Sequence, residues 1–445
     1  MTTASEPSIR QATRTMPDPE LVRLGAKRKV RVLFVNDTAR NGGPGRSLFY
    51  ILKFLDPAVV HRAVLLPRAG VISDLLVKGG VVDELYFEPN LVENPIEPWR
   101  RPMERTDFDA PAAKKAVRLA GNVARVTYGL ARMTRLLRSG FDLIYCNGTN
   151  ADFAGGALAK TSGVPALWHV RYTSVPGAVE GVHRRLSASA GVKRIVCVSN
   201  AAAKLFPHCP EKVRVIHNAL DIDEFAPDTK NAVLRSELGF GPDTVVFGSQ
   251  GRILPRKGYV EMVRAAKRAL ESLSPAESEK CRFVVLGDTP QDIEPDHLEE
   301  CRALVRELGL EKVFFFVGFR ADVKPYVSEF DVAVVPSVYP DPLPRAVIES
   351  MAMGRPVIAF DVGGVSEMLE DGSCGALVPC GDVDGLAREM VRYFRSAELR
   401  ATHGHAARAR IEARYDARVH GQRIQNQILE ASGLADGFAR AGGHA

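Results

Sequence analysis

PSVYPDPLPRAVIESMAMGRPVIAFDVGGVSE, from Pro336 to Glu367, follows a strand-like apolar run at 330–335. A helical pattern extends from Arg345 to Met353, and Gly354 is placed to end that helix, because glycine readily adopts the left-handed conformation found after a last turn. A second apolar run follows at 357–360. The stretch therefore predicts a strand–helix–strand unit of an α/β fold.

Polar groups gather where this helix is predicted to begin. Asp341 is expected to cap the helix, with Pro342 at its first position, where the missing N–H costs nothing. The amides of Leu343 and Arg345 would then face outward at the positive end of the helix, which favours an anion. Glu349 lies eight residues after Asp341, which is about 12 Å along a helix. That reach suits one elongated polar ligand better than an acid–base pair, whose carboxyl groups lie about 5–10 Å apart.

The same stretch resembles the acidic motif of the retaining GT-B glycosyltransferases of family 4. The resemblance rests on fixed spacings over some thirty residues, at Asp341, Glu349, Gly354, Pro356, Gly363 and Gly364. It implies that Glu349 holds the ribose of a nucleotide-sugar, and that Asp341 with neighbouring amides holds the sugar and inner phosphate. Two residues depart from the family pattern: Asp341 replaces Glu, and Pro344 replaces Gly and removes an amide.

Composition excludes several classes of protein. The chain has 445 residues, 46% hydrophobic and 25% charged, as in soluble globular proteins of two or three domains. A net charge of +6 does not indicate nucleic-acid binding. The seven cysteines show no Cys-x-x-Cys spacing, so we expect buried thiols in a reducing compartment rather than a zinc site. With no apolar signal core at the N-terminus and no apolar run of about 18 residues, a cytoplasmic protein is expected.

Thirteen apolar runs alternate with helical patterns and predict two consecutive parallel sheets. The first series is 29–36, 61–66, 81–85, 142–146, 166–170, 194–198 and 213–217. The second series is 244–250, 282–287, 313–317, 331–335, 357–360 and 376–379.

These series, with the resemblance, predict an α/β, GT-B fold: two Rossmann-like domains face each other across a cleft, and a C-terminal helix crosses back to the N-terminal domain. The predicted divisions are a disordered tail (1–28), an N-terminal acceptor-side domain (29–220), a C-terminal nucleotide-sugar domain (221–400), the crossing helix (401–430) and a second disordered tail (431–445).

A glycine-rich turn follows the first predicted strand and precedes a helical pattern at 48–55. It is not a Walker A loop, which needs Gly at position 40 and Lys at 46, where this chain has arginine. It is not a dinucleotide fingerprint either, since position 48 is Leu. By resemblance, Gly42 and Gly43 lie close to the donor phosphates; without it, an ordinary tight turn explains them equally well.

A second basic motif, Gly251-Arg-Ile-Leu-Pro-Arg-Lys-Gly258, directly follows a predicted strand. It matches the family signature with Arg252 and Lys257 as its two cations, which would stabilise the charge that develops on a departing diphosphate. A solvated basic turn is the simpler alternative. Because no Asp-x-Asp metal motif lies at a strand end, we expect these cations to replace Mg²⁺, with no metal and no cofactor beyond the nucleotide-sugar substrate.

Polar residues at other strand ends are further candidates for the cleft. His169 ends a predicted strand, and the family has a histidine there that approaches the donor sugar, although a lone histidine is more often structural. Weaker candidates are Arg171, Asn147, Ser199, Asn218 and Glu367.

The segment from 112 to 138 has seven Lys or Arg residues and no acid. Arg118, Arg125 and Arg132 recur every seven residues and so share a helical face. One hypothesis is a basic surface that contacts anionic lipid near a lipid-linked acceptor. The other is an ordinary packed helix with a solvated basic face. Gly121 and Gly129 weaken the helix and so favour this second interpretation.

Together these features predict a retaining, metal-independent hexosyltransferase that moves a sugar from a nucleotide-diphosphate sugar to an acceptor hydroxyl, in cell-surface polysaccharide or glycolipid synthesis. The catalytic candidates are His169, Asp341, Arg252 and Lys257. Alternatives are a GT-B sugar epimerase or phosphorylase, and a catalytically silent GT-B module that binds a nucleotide-sugar. The protein is expected in the cytoplasm or on the inner face of the membrane.

Overall fold

A computed structural model describes residues 28–39, 42–92, 112–227, 233–289, 296–369 and 372–435. The predicted disordered tails lie outside these residues, apart from residue 28 and residues 431–435, of which Ala431 and Ser432 are the end of a helix rather than disordered.

The first sheet is built from the N-terminal half of the chain. Its strands are β1 (Val30–Asn36), β2 (Val60–Leu66), β3 (Glu84–Phe87), β4 (Leu143–Asn147), β5 (Ala166–Val170), β6 (Val192–Cys197) and β7 (Val213–Val215). They lie in the order β3-β2-β1-β4-β5-β6-β7, and every neighbouring pair is parallel. The strands are continuous apolar runs because helices cover both faces of the sheet.

The second sheet repeats this order in the C-terminal half. Its strands are β8 (Val245–Gln250), β9 (Cys281–Leu286), β10 (Phe314–Phe316), β11 (Val332–Val335), β12 (Val357–Phe360) and β13 (Gly375–Val378). Their order is β10-β9-β8-β11-β12-β13, again all parallel. Both orders reverse direction beside the first strand of their sheet, which is the doubly wound arrangement that places ligands at the carboxyl ends of the strands.

Helices connect the strands of both sheets. In the N-terminal half they are α1 (Gly43–Phe54), α2 (Val71–Lys78), α3 (Pro89–Val92), α4 (Ala112–Leu137), α5 (Thr149–Ser162), α6 (Gly177–Ala188) and α7 (Asn200–Ala203). In the C-terminal half they are α8 (Leu234–Leu238), α9 (Tyr259–Glu271), α10 (Pro275–Ser278), α11 (His297–Glu307), α12 (Lys324–Val327), α13 (Arg345–Ala352), α14 (Val365–Leu369), α15 (Val383–Arg395), α16 (Ala397–Arg414) and α17 (Ala417–Ser432). Among the described residues, no helix has the length and apolar character that a membrane span requires.

The chain returns to the N-terminal domain through α17. α16 packs on α13 of the second domain, whereas α17 packs on α1 of the first. Leu220 and Asp416 form a parallel bridge at the crossing, where Ala417 N donates to Leu220 O at 2.9 Å. Ile424 and Ile428 of α17 are fully buried in the N-terminal core. Of the crossing helix predicted at 401–430, only the part from Ala417 crosses back, as α17, whereas the part up to Arg414 belongs to α16 on the second domain. α17 thus joins the two domains a second time beside the predicted domain boundary at 220/221.

Candidate functional site

A cleft of about 710 Å³ lies between the carboxyl edges of the two sheets. Of the fourteen residues predicted for the site, ten line it: Gly42, Gly43, Arg171, Asn218, Arg252, Lys257, Asp341, Leu343, Arg345 and Glu349. Four do not: Asn147, His169, Ser199 and Glu367. Residues far apart in sequence thus meet because parallel strands all end at the same edge.

The predicted cap of α13 is wrong. The helix begins at Arg345 after Pro344, which has extended backbone, and no side chain caps it. Pro344 explains the late start, because a proline pushes the preceding residue, Leu343, out of the helical region. Asp341 instead accepts a hydrogen bond from Lys257 Nζ at 2.8 Å, 84 positions earlier in the chain. Asp341 and Lys257, which were both predicted to contact the ligand, therefore form an ion pair with each other in the lining of the cleft.

Gly363 explains how the loop at Asp341 is held in place. Gly363 has a φ of 60°, and a Cβ atom there would lie 2.0 Å from Asp341 O. The next residue, Gly364, donates its amide to the same oxygen at 3.1 Å. This close backbone approach requires glycine at 363 and fixes Asp341 at the mouth of the cleft.

Glu349 is buried and held by two neighbours. Its Oε1 accepts from Arg345 Nε at 3.0 Å, and its Oε2 accepts from Gln250 Nε2 at 3.1 Å. In the described part of the chain, Gln250 Oε1 and Arg345 Nη1 are buried without a hydrogen-bond partner. An acceptor and a donor thus remain for a ligand beside Glu349. The sequence analysis missed Gln250, whose only signal is its position at the end of β8.

A cationic turn follows β8. A short 3₁₀ helix, Pro255–Lys257, presents Lys257 and Arg256 to the cleft, and Arg252 also lines it. Gly258 closes the turn with a φ of 72°, and a Cβ atom there would lie 1.7 Å from Pro336 O. Glycine at this position therefore allows the cationic turn to pack against the loop after β11.

The N-terminal wall of the cleft starts at the glycine pair. α1 begins at Gly43, with Gly42 as its N-cap, five residues earlier than the sequence pattern predicted. The positive end of this twelve-residue helix therefore opens into the cleft. Asn147 lies behind this turn and donates from Nδ2 to Pro44 O at 3.1 Å.

His169 is fully buried behind Arg171 rather than exposed to the cleft. Its Nδ1 lies within hydrogen-bond distance of the Tyr145 hydroxyl and 3.3 Å from Arg171 Nη2. Because both neighbours are donors, Nδ1 accepts and Nε2 carries the proton, and Nε2 has no hydrogen-bond partner among the described residues. Burial, with the charge of the neighbouring Arg171, holds the pKa of His169 well below its usual value. The imidazole is therefore neutral, and its contact with a donor sugar stays a prediction.

Ser199 and Glu367 lie where the two domains meet. Ser199 caps α7 by accepting from Ala202 N at 3.1 Å. Glu367 accepts from Asn200 N at 2.9 Å and from His217 Nε2 at 3.0 Å. Burial alone would raise the pKa of Glu367, but these hydrogen bonds outweigh it and hold that pKa below the usual value. Glu367 thus joins the two domains, whereas Ser199 orders the short helix α7 on which Asn200 lies.

Phe319 was also missed by the sequence analysis. Its side chain is 57% exposed and lines the cleft just beyond β10. An exposed aromatic ring in a polar cleft provides a flat surface on which a nucleotide base can stack. An aromatic residue directly after Gly318 was the available signal.

Comparison with known proteins identifies the two halves of the chain separately. Residues 97–224 match the family described as Glycosyltransferase Family 4, and residues 244–396 match Glycosyl transferases group 1.

Two curated relatives are similar over part of the chain. One is the UDP-Gal:alpha-D-GlcNAc-diphosphoundecaprenol alpha-1,3-galactosyltransferase of Escherichia coli, which is 24% identical over 58% of this chain and 67% of its own. The other is the D-inositol 3-phosphate glycosyltransferase of Kribbella flavida, 33% identical over 44% of this chain and 46% of its own. The matched segments therefore span from about half to two thirds of these relatives.

Solved structures share the whole fold. HepE of Anabaena, crystallised with UDP and glucose, has a TM-score of 0.72 at 23% identity, and the match covers 90% of this chain and all of that one. WaaG, a glycosyltransferase of lipopolysaccharide biosynthesis, has a TM-score of 0.62 at 14% identity, with 89% and 99% covered. At these identities the likeness shows the GT-B fold.

Proposed function

This chain belongs to the family 4 glycosyltransferases of GT-B fold, and from that premise we propose that it transfers a sugar from a nucleotide-diphosphate sugar to an acceptor hydroxyl. We further propose that the transfer retains the anomeric configuration, needs no metal and belongs to cell-surface polysaccharide or glycolipid synthesis. A nucleotide-sugar donor is supported by the likeness to HepE, which was crystallised with UDP and glucose.

One observation carries the proposal: cations and a helix N-terminus converge on one cleft. Arg252, Arg256 and Lys257 line its C-terminal wall, and α1 begins on the opposite wall at Gly43. In a partly dried cleft, each cation near a diphosphate contributes up to about 4 kcal/mol at an effective dielectric near 20. We assign the diphosphate to these cations and the ribose to Glu349.

The proposed chemistry takes place on one face of the sugar. The bond from the anomeric carbon to the phosphate oxygen breaks, the acceptor oxygen bonds the same carbon from the same side, and the acceptor proton passes to the departing phosphate oxygen. The ion pairs of the cleft acids support this assignment, since Asp341 is bound to Lys257 and Glu349 to Arg345. A carboxylate held in this way is a poor nucleophile, which disfavours a covalent sugar–enzyme intermediate and favours transfer on one face.

The cations also support the metal-independent part of the proposal. Positive side chains at the diphosphate supply the charge stabilisation that Mg²⁺ provides in many phosphoryl and glycosyl transfers. We expect transfer activity to be unchanged by about 5–10 mM EDTA, which removes divalent ions from the protein. Loss of activity in EDTA that added Mg²⁺ or Mn²⁺ restores would contradict this part.

The location is proposed from α4. Val117 and Tyr128 are 73% and 61% exposed, and they lie on one line of the helix with Arg135. Arg125 and Arg132 lie together on one side of this line, and Arg132 is also 3.3 Å from the buried carboxylate of Glu88. The side chain of Arg118, the third arginine of the predicted face, lies outside the described residues. Mixed apolar and basic exposure of this kind favours the surface of an anionic membrane.

Liposome co-sedimentation tests the membrane proposal. Binding to vesicles with anionic lipid should fall with added salt, since roughly 1 kcal/mol per basic residue is electrostatic. The double variant Arg125→Glu and Arg135→Glu should no longer bind these vesicles. Arg185→Glu, which reverses the charge of an exposed residue on α6, should still bind them. Equal binding by both variants would remove α4 from the proposal.

A thermal-shift screen tests the enzymatic proposal. A donor that binds only the folded protein raises the melting temperature by mass action. UDP-, GDP- and ADP-sugars are compared, and the best donor is then incubated with and without acceptor mixtures. A new sugar isomer or a free sugar 1-phosphate formed without acceptor would select an epimerase or phosphorylase, and binding without turnover would select a silent module. No shift with any nucleotide-sugar would overturn the proposal.

A further inference from the structure

Arg171 is a largely buried cation that three neutral groups hold in place. Its Nε donates to Asn147 Oδ1 at 2.6 Å, Nη1 donates to Asn218 Oδ1, and Nη2 donates to His169 Nδ1 at 3.3 Å. A guanidinium has five N–H groups, so two remain available. The side chain lies at the carboxyl edge of β5 and lines the cleft.

The two asparagines are themselves oriented by other groups. Asn147 Nδ2 donates to Asn36 Oδ1 at 2.5 Å, and Asn218 Nδ2 donates to Leu343 O at 3.3 Å. Each amide therefore turns its oxygen toward the guanidinium. The arrangement fixes the position of Arg171 without neutralising its charge.

In the described part of the chain, no carboxylate lies within 4.0 Å of Arg171. Asp37 and Asp152 influence it electrostatically but bond elsewhere: Asp37 to Asn150 N at 3.3 Å, and Asp152 to the Tyr172 hydroxyl at 2.8 Å. Burial lowers the pKa of Arg171 to about 10, which leaves it charged at neutral pH. A buried charge without an ion-pair partner is costly unless a ligand supplies one.

The cleft is lined by more cations than acids. Its described lining has seven cations, Arg46, Arg171, Arg252, Arg256, Lys257, Arg320 and Arg345, and three acids, Asp288, Asp341 and Glu349. Glu237, outside the cleft, pairs with Arg320. The two ionised phosphates of a nucleotide-sugar are already assigned to Arg252, Arg256 and Lys257 on the C-terminal wall.

The N-terminal wall contributes cations that this assignment does not use. The described residues of this wall in the cleft are Gly42, Gly43, Pro44, Arg46, Arg171 and Asn218, with two cations and no carboxylate. Arg46 already reaches across to the second domain, where its Nη2 donates to Ala321 O at 3.3 Å. Arg171 is therefore the cation placed for a second anion, opposite the cations assigned to the diphosphate.

We propose that Arg171 binds an oxyanion, phosphate or carboxylate, carried by the acceptor, so that the enzyme selects anionic acceptors. This inference rests on the proposed function and adds a substrate class to it. The planar guanidinium matches the geometry of either oxyanion. The acceptor hydroxyl would then lie beside a charged group, as it does in a sugar phosphate, a lipid-linked diphosphate or a sugar acid.

The test measures oxyanion binding to the protein already saturated with nucleotide. UDP, GDP and ADP are compared first, and the tightest binder fills the diphosphate site. Inorganic phosphate and, separately, acetate are then titrated and followed by NMR. Phosphate binding alone indicates a phosphorylated acceptor, and acetate binding alone a carboxylate. Arg171→Gln keeps amide donors but removes the charge, and Arg185→Gln makes the same change on the exposed face of α6.

We expect Arg171→Gln to weaken oxyanion binding at least about tenfold, since a charged hydrogen bond contributes that much. Nucleotide affinity should stay within twofold for both variants, and Arg185→Gln should bind like the wild type. Arg171→Lys keeps the charge but not the planar guanidinium, so its oxyanion affinity should lie between those of the wild type and Arg171→Gln. It replaces the Gln variant if that variant has a clearly lowered melting temperature.

Three results would overturn the inference. The first is that neither anion binds the wild-type nucleotide complex. The second is that Arg171→Gln binds both anions as tightly as Arg185→Gln does. The third is that Arg171→Gln weakens binding of the nucleotide itself, which would place Arg171 at the donor diphosphate. If no nucleotide binds at all, the proposed function fails instead, and the same titrations on the ligand-free protein still decide whether Arg171 holds an oxyanion.

Discussion

Replacing Lys257 with alanine should weaken binding of UDP, the diphosphate product expected of a UDP-sugar donor. At about 4 Å from a phosphate and an effective dielectric near 20, the ammonium contributes up to about 4 kcal/mol. In the free protein it is 2.8 Å from Asp341, and the two side chains are 23% and 24% exposed. Breaking such a pair costs about 1 kcal/mol. The net loss on Lys257→Ala is therefore about 2–3 kcal/mol, or roughly a 30- to 150-fold higher Kd.

Isothermal titration with UDP measures this change directly. The matched control is Lys267→Ala, which removes the same charge from an exposed ion pair with Glu271 on α9 and should leave the Kd unchanged. Asp341→Asn is the informative companion, because it removes the group that competes with phosphate for Lys257. UDP should bind Asp341→Asn as tightly as wild type, or up to about fivefold tighter, while sugar transfer falls.

Two outcomes would refute this reasoning. A Kd for Lys257→Ala equal to that of Lys267→Ala would show that Lys257 does not meet the diphosphate. If Asp341→Asn lost as much UDP affinity as Lys257→Ala, the ion pair would be a structural unit of the binding site rather than a competitor of the ligand.

Four further substitutions, one of them a control, are predicted to change stability, each measured by denaturant or thermal unfolding. Gly258→Ala should lower the free energy of unfolding by about 2–4 kcal/mol, because the added Cβ would lie 1.7 Å from Pro336 O. The control is Gly239→Ala: Gly239 has a φ of 67°, but an added Cβ would meet no atom within 4 Å, so this change should cost only about 1 kcal/mol. Burial raises the pKa of Asp37 to about 6, so the folded protein binds the extra proton between about pH 4 and 6 and wild-type stability falls as pH rises through that range. Asp37→Asn should therefore be more stable than wild type by about 1–3 kcal/mol at pH 8, and the advantage should disappear below about pH 4. Glu367→Gln should cost about 1–2 kcal/mol at pH 7; since the pKa of Glu367 is lowered, the difference should shrink as pH falls through that lowered pKa. A Gly258→Ala protein as stable as Gly239→Ala, or pH-independent differences for the two acids, would contradict these assignments.

The strands could be predicted because local sequence encodes them. All thirteen apolar runs overlap a strand, and 166–170 and 357–360 have the predicted bounds, but the strand predicted at 81–85 lies at Glu84–Phe87. A parallel strand covered on both faces must be a continuous apolar run, so its signal lies within a few neighbouring residues. Helix starts were less accurate: α1 begins at Gly43 and α13 only after Pro344, because glycine and proline act through backbone conformation rather than apolar periodicity.

The sequence by itself determined most of the predicted residues that reach the cleft, ten of fourteen, since the ends of parallel strands lie at the ligand edge of the sheet. Only the tertiary structure decided which charges meet there. Lys257 pairs with Asp341 and Arg345 pairs with Glu349, whereas Arg171, in front of the buried His169, has no carboxylate partner among the described residues. Spacing along a chain carries no information on such pairs, because electrostatic energy depends on distance and burial in three dimensions.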